Sequence, residues 1–168
     1  MADNIAAIRI ALDFTTQPLS ETELETLKKY AGFGGLKAVL FPPGDIADWS
    51  KFGASAPDIK LYPQVMELHA LLKEKLSAAD YKSAIDALKS SSQTAYYTPD
   101  YIPRVIYAAM KEAHILPKRI YEPSAGAGVF IDEAVEAFEG LQQINAVEKD
   151  ILTGKILNAL CSVYQLPV

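Results

Sequence analysis

The sequence predicts an α/β protein, in which a mainly helical amino-terminal region is followed by the first half, β-α-β-α, of a doubly wound parallel sheet. In residues 1–93, apolar side chains recur at three- and four-residue spacing, which is typical of amphipathic helices. After residue 94, short apolar runs alternate with amphipathic segments, which is typical of a parallel sheet with crossover helices. We therefore expect two domains, 1–93 and 94–168.

Composition and charge limit the classes of function. Half of the 168 residues are apolar, so the chain can bury a core. Its 16 basic and 21 acidic residues give a net charge of -5, which excludes the general basic field of sequence-independent nucleic-acid binding. The single Cys161 excludes an internal disulfide. His69 and His114 are far apart and have no metal-ligand spacing, so we expect no metal site. The lack of a disulfide framework predicts a cytoplasmic protein. No segment approaches the roughly 18 apolar residues of a membrane span, so we expect no membrane partner.

The amino-terminal elements begin with a helix over "TELETLKKYA". Ser20 and Glu23 have capping-box spacing ahead of this run, and Gly32 is expected to end the helix. Residues 31–63 contain five glycines and four prolines, which predicts an irregular connection. The runs "PQVMELHALLKEKL" and "AADYKSAIDALKSS" then have helical spacing and predict two helices.

The carboxy-terminal elements begin with a helix whose first residue lies between Thr98 and Pro103. "KRIYEP" predicts a strand, and "AGVFIDEAVEAFEG" predicts a helix that Gly140 stops. "QQINAVEKD" predicts a second strand and "ILTGKILNALCSVYQ" a second helix. Ligands of such sheets bind at the carboxyl ends of the strands.

The turn "EPSAGAG" between the first strand and its helix has the chemistry of a ligand site. Gly126 and Gly128 have no Cβ and let the backbone approach a ligand closely. A dinucleotide fingerprint needs a third glycine where this chain has Ile131, and Glu122 at the strand end would repel a pyrophosphate. An acid there suits a ligand with a positive end, such as S-adenosylmethionine.

A second carboxylate, Glu148, follows the second strand twenty residues beyond Gly128. At that position it could accept hydrogen bonds from both ribose hydroxyls of an adenosine. The alternative is that Glu122 and Glu148 are only exposed acids at the ends of strands.

Three stretches together resemble a known family. "YYTP", "YEPSAGAGVF" and "AVEKD", in this order, resemble motifs X, I and II of class I methyltransferases that methylate adenine N6 in DNA. "LKKYAGFGGL" is similar to a signature of very large phage- and plasmid-borne proteins that join a methylase to a helicase-like half. The resemblance covers roughly residues 20–168 and implies a Rossmann-like sheet, S-adenosylmethionine as cofactor and DNA as substrate of the full-length protein.

The resemblance also implies the cofactor contacts. Residues 97–99 would close over the methionine end, residues 122–128 would form the floor, Glu148 would hold the ribose and Lys149 would flank the adenine. Tyr97 could instead be a helix-staple aromatic, and Phe130 is expected in the core. The implied contacts are Tyr97, Thr98, Pro99, Glu122, Pro123, Ser124, Ala125, Gly126, Gly128, Glu148 and Lys149.

No catalytic residue is assigned, because N6-adenine methylation needs an Asn/Asp-Pro-Pro-aromatic motif and this sequence contains none. The only double proline lies in "FPPG", with Phe41 and Gly44 at the two chemically active positions, and we interpret it as a loop. We expect the chain to be the amino-terminal part of the enzyme and inactive alone. The alternatives are a methyltransferase of RNA or protein, and a non-catalytic partner-binding module. Exposed strand edges would favour homo-oligomers.

Overall fold

The computed structural model describes residues 1–94, 97–164 and 167–168, and most of these residues lie in helices. Tyr96 of the "YYTP" stretch and the end of the last predicted helix, Gln165, lie outside the described residues. The strands are β1 (Arg119–Glu122) and β2 (Gln143–Ala146). The α-helices are α1 (Ala2–Asp13), α2 (Glu21–Lys28), α3 (Ile46–Lys51), α4 (Ala56–Lys60), α5 (Tyr62–Lys75), α6 (Ala78–Thr94), α7 (Tyr101–Glu112), α8 (Val129–Ala137) and α9 (Ile151–Cys161).

The two strands pair in parallel. Ile120 lies opposite Ile144, and Glu122 lies opposite Ala146. Two backbone hydrogen bonds continue beyond the strand ends, because the amide of Val147 donates to the carbonyl of Glu122 (2.9 Å) and its own carbonyl accepts from Ala125 (3.0 Å). The carboxyl ends of both strands therefore lie side by side at one edge of the sheet.

The predicted fold class is wrong. The described part of the protein is mainly helical, its sheet consists of two strands of four residues each, and it does not form half of a Rossmann-like sheet. The packing of α9 gives the physical reason, because this helix contacts α1, α2 and α6. Its Leu152, Ile156 and Leu160 lie in the core of the amino-terminal helices. The sequence pattern indicated the local elements and their apolar faces, but not what those faces pack against.

The amino-terminal core is built around α1. This helix covers most of the stretch "IAAIRIALDF", and its Ile5 and Ile8 are buried. It packs against α2, α5 and α9, and each large aliphatic side chain buried in this way contributes about 1.5–3 kcal/mol of transfer free energy. The other large apolar residues of this core are Leu27, Tyr30, Phe33, Val39, Leu68, Leu71, Leu72, Leu88, Leu152, Ile156 and Leu160.

Helix α2 begins as predicted but ends early. The Ser20–Glu23 capping box is confirmed, since the amide of Ser20 donates to the Glu23 carboxylate (2.8 Å) and the amide of Glu23 donates to the Ser20 hydroxyl (3.3 Å). The helix ends at Lys28, not at Gly32. The amide of Ala31 donates to Asn4 Oδ1 (3.0 Å) on α1 and not to a helical carbonyl, so tertiary contact with α1 replaces the last helical turn.

The predicted irregular connection contains α3, α4 and a 3₁₀ turn over Lys37–Leu40. Trp49 of α3 is fully buried, and its indole Nε1 donates to the carbonyl of Pro42 (3.0 Å). Its ring packs against Phe41 and Tyr62, with centroids 5.0 and 5.2 Å away. The "FPPG" stretch is thus a loop that accepts the indole hydrogen bond of Trp49 and packs against its ring.

A second core lies between the sheet, α7 and α8. It contains the buried side chains of Tyr107, Ile131, Phe138 and Ile144. Helix α7 begins within the predicted interval and is tied to α8 by Arg104, which donates two hydrogen bonds to the Glu133 carboxylate (3.1 and 2.7 Å). This pairing holds the first turn of α7 against the middle of α8.

Large apolar side chains are exposed on two elements of this second core. Val105 on α7 and Tyr121 on β1 keep 64% and 65% of their surface accessible. Homo-oligomers formed through exposed strand edges stay a prediction. Among the residues that the structure describes, no helix has both the length and the apolar character needed to cross a membrane.

Candidate functional site

A cavity of about 600 Å³ lies at the carboxyl ends of β1 and β2. The glycine-rich turn forms one side of it, the segment after β2 and the start of α9 form another, and α6 faces them. It is lined by Ser83, Asp86, Ala87, Ser90, Ser91, Tyr97, Thr98, Ser124, Ala125, Gly126, Ala127, Val129, Phe130, Glu148, Lys149, Asp150 and Thr153.

Most of the residues predicted from the sequence meet at this cavity. The predicted residues that line it are Tyr97, Thr98, Ser124, Ala125, Gly126, Glu148 and Lys149. The predicted residues outside its lining are Pro99, Glu122, Pro123 and Gly128. Three segments far apart in the chain thus converge on one place.

Glu148 connects two walls of the cavity. One carboxylate oxygen accepts a hydrogen bond from the amide of Gly126 (2.8 Å), and the other accepts from the amide of Asp150 (2.7 Å). An ionised carboxylate can accept about four hydrogen bonds, so this half-buried group retains acceptor capacity after both backbone bonds are made. Glu148 can therefore support the turn and still bind hydroxyl groups in the cavity.

The remaining turn residues have mostly local roles. Glu122 accepts a hydrogen bond from the amide of Ser124 (3.0 Å), which fixes the start of the turn. Gly128 has a positive φ of 95°, and a Cβ at this position would lie 3.0 Å from Leu157 Cδ1. Its missing side chain therefore serves the packing of the turn on α9, whereas Gly126 lies at the cavity itself.

Tyr97 is held by a hydroxyl contact with Thr153 of α9. Its phenol hydroxyl hydrogen-bonds the Thr153 hydroxyl (3.2 Å), which also bonds the Tyr30 hydroxyl (3.0 Å). Burial raises the pKa of both tyrosines above the ordinary phenol value. Both phenols are therefore protonated at neutral pH. The contacts of Tyr97 with Thr153 and Tyr30 are long-range, whereas the alternative role as a helix-staple aromatic would involve local contacts only.

Sequence reasoning missed the wall formed by α6. The small and polar residues Ser83, Asp86, Ala87 and Ser90 recur at spacings of three and four and thus lie on one face of this helix. This periodic polar face was the available signal. Asp150 was also missed; as the N-cap of α9, its Oδ1 accepts from the amides of Leu152 and Thr153 in the first turn.

Phe130, which was expected in the core, is only partly buried against the second core. Its ring packs edge-to-face on Tyr107, with centroids 6.2 Å apart, but the residue also lines the cavity. Its half-buried position therefore gives the cavity an apolar surface beside the carboxylates.

Comparisons with protein-family models, curated proteins and solved structures found no match to this chain. In the described ranges, no group of three or more histidine, cysteine, aspartate or glutamate side chains is arranged to hold a metal ion. The function is therefore inferred from the chemistry of the cavity.

Proposed function

We propose that the cavity binds S-adenosylmethionine and that the chain is the cofactor-binding part of an adenine-specific N6 DNA methyltransferase. One observation carries the proposal: residues 97–98, 124–126 and 148–150 line the same cavity. These residues belong to the three stretches that resemble methylase motifs X, I and II. The proposal includes a cytoplasmic location, in keeping with a chain whose single cysteine cannot form an internal disulfide.

The size and chemistry of the cavity fit this cofactor. Its volume of about 600 Å³ lies within the ~300–1,000 Å³ range of small-molecule sites. The remaining acceptor capacity of Glu148 matches the two hydroxyl donors of a ribose. Asp86, Glu148 and Asp150 outnumber Lys149, so the charged side chains of the lining are mainly acidic and attract a ligand with a positively charged end.

Each wall would have a separate role. S-adenosylmethionine, when bound, supplies an electrophilic methyl group on a positively charged sulfur. Glu148 would orient the ribose, Gly126 would allow close approach of the backbone, and Tyr97 and Thr98 would exclude water from the methionine end. The sequence contains no Asn/Asp-Pro-Pro-aromatic motif, so we assign cofactor binding, and not catalysis, to this chain.

Calorimetric titration with S-adenosylhomocysteine tests the binding site. We expect a dissociation constant between about 10 µM and 1 mM, because the polar groups of the lining must be desolvated when the ligand binds. NAD is the matched control, since the acidic lining would repel its pyrophosphate, and we expect no heat of binding. Equal binding of both ligands, or no binding of S-adenosylhomocysteine at 1 mM, would contradict the proposal.

A methyl-transfer assay tests the division of roles. The 168-residue chain, at high concentration and with labelled S-adenosylmethionine, is expected to leave duplex DNA, RNA and added protein unlabelled, because no residue is assigned to orient a target amine. The control is Gly126→Val, because a valine side chain would occupy the space where the turn backbone approaches the cofactor. Labelling of adenine by the wild type and not by the control would place a catalytic acceptor in this chain. Labelling of RNA or protein alone would favour the other methyltransferase classes.

A further inference from the structure

The turn over residues 30–32 contacts Tyr97 from the side opposite the glycine-rich turn. A Cβ at Gly32 would lie 2.2 Å from Cε2 of the Tyr97 ring, and a Cβ at Gly126 would lie 3.3 Å from Cε1. Cε1 and Cε2 are on opposite edges of the ring. The phenol therefore occupies a slot between two glycines that are 94 positions apart in the sequence.

The backbone of Gly32 suits this slot in two ways. Its φ of +67° lies in the left-handed region, where a residue with a side chain is strained. The missing side chain also leaves room for the Tyr97 ring, since atoms closer than about 3 Å would overlap. Alanine at this position would therefore displace the ring.

Two buried residues fix the turn in place. Asn4 on α1 donates from Nδ2 to the carbonyl of Gly32 and accepts from the amide of Ala31. Tyr30 packs edge-to-face on Tyr97, with centroids 6.2 Å apart and planes at 86°. Asn4 and Tyr30 are only 3% and 6% exposed, so the slot is anchored in the amino-terminal core.

We propose that Tyr30 and Gly32 are positioning residues that hold the Tyr97 ring beside Gly126, so that the amino-terminal helices set the affinity of the cavity for its ligand. This inference rests on the proposed function. It gives the "AGFGGL" stretch a physical role, because the first glycine of that stretch forms one side of the slot. The effect on the ligand passes through Tyr97, since neither Tyr30 nor Gly32 lines the cavity.

Gly32→Ala tests this role, with Gly35→Ala as the matched control. Gly35 lies in the same loop with a φ of +75°, but a Cβ there meets no atom within 4 Å. Both substitutions thus introduce the same kind of backbone strain, and only the first contacts Tyr97. We expect Gly32→Ala to weaken S-adenosylhomocysteine binding about tenfold, and Gly35→Ala less than about twofold. Equal dissociation constants for the two variants would overturn the proposal.

A double-mutant cycle with Tyr97→Ala separates positioning from a general effect of folding. Once the ring is removed, Gly32→Ala is expected to leave the dissociation constant unchanged within about twofold and to lower the denaturation midpoint less than it does in the wild type. In the Tyr97→Phe background, which keeps the ring, Gly32→Ala is expected to retain its full effect on both the dissociation constant and the denaturation midpoint. A Gly32→Ala effect that persists undiminished without the Tyr97 ring would refute the coupling.

The stability arm of this cycle does not need the ligand. If the wild type fails to bind S-adenosylhomocysteine, the proposed function fails, whereas coupling in the denaturation midpoint still reports whether Gly32 holds the Tyr97 ring. Additive midpoint shifts for Gly32→Ala and Tyr97→Ala would then refute the positioning role as well. Coupled midpoint shifts without ligand binding would support the contact between Gly32 and the Tyr97 ring, but would refute its effect on S-adenosylhomocysteine binding.

Discussion

Glu148→Ala is expected to weaken S-adenosylhomocysteine binding by about ten- to a hundredfold and to lower the free energy of unfolding by on the order of 2 kcal/mol. The affinity falls because the variant loses the acceptor proposed for the ribose. The stability falls because the amides of Gly126 and Asp150 lose their common partner. Calorimetric titration and urea denaturation measure the two effects.

The controls for this substitution separate charge from hydrogen bonding. Glu148→Gln keeps one acceptor oxygen, so both losses should be intermediate. Glu139→Ala removes an exposed glutamate outside the cavity and is expected to change neither quantity appreciably. Binding by Glu148→Ala at wild-type strength would show that the ligand does not use this carboxylate.

Ile156→Ala is expected to lower the free energy of unfolding by about 2–5 kcal/mol, because truncation of a fully buried isoleucine leaves a cavity. Ile156 belongs to α9, near the carboxyl end of the chain, but it packs in the core of the amino-terminal helices. We therefore expect a single cooperative transition that shifts as a whole. Tyrosine and Trp49 fluorescence, together with far-ultraviolet circular dichroism, should report the same midpoint.

Asn158→Ala is the matched control on the same helix. Asn158 is exposed, so the expected change is within about 0.5 kcal/mol. Two separate transitions in the Ile156→Ala variant, with the amino-terminal helices unaffected, would contradict the packing of α9 in their core. They would instead support independent folding of residues 1–93 and 94–168.

The cavity residues in the glycine-rich turn and directly after β2 were accessible from the sequence because their signals are local. A strand end followed by closely spaced glycines marks Gly126, and an acid directly after the next strand marks Glu148. Parallel pairing then brings two such positions together regardless of how many further strands exist. The cavity residues on these two segments could therefore be named without knowledge of the whole fold.

The fold class was not accessible in the same way. Apolar periodicity identifies the face of α9 that is buried, but the same pattern serves a helix on a sheet and a helix in a bundle. Leu152 and Ile156 pack among helices, and Leu157 packs beside the sheet, so the helix contributes to both cores. Sequence periodicity does not distinguish these partners.

Tertiary contacts also explain the other differences. The α2 helix stops at Lys28 because Asn4, more than twenty residues earlier, takes the amide of Ala31. The role of Gly128 depends on Leu157, and that of Gly32 depends on Tyr97. Such glycines are recognisable in the sequence as exceptional backbone positions, but the side chain that needs the space is identified only by the structure.

The backbone hydrogen bonds of Val147 preorganise the cavity for ligand binding. This residue donates to Glu122 and accepts from Ala125, so the end of β2 is joined to the glycine-rich turn on both sides. The spacing between the Glu148 carboxylate and Gly126 is thereby preorganised by main-chain bonds. A ligand would meet a rigid polar rim, and little of its binding free energy would be spent on ordering the protein.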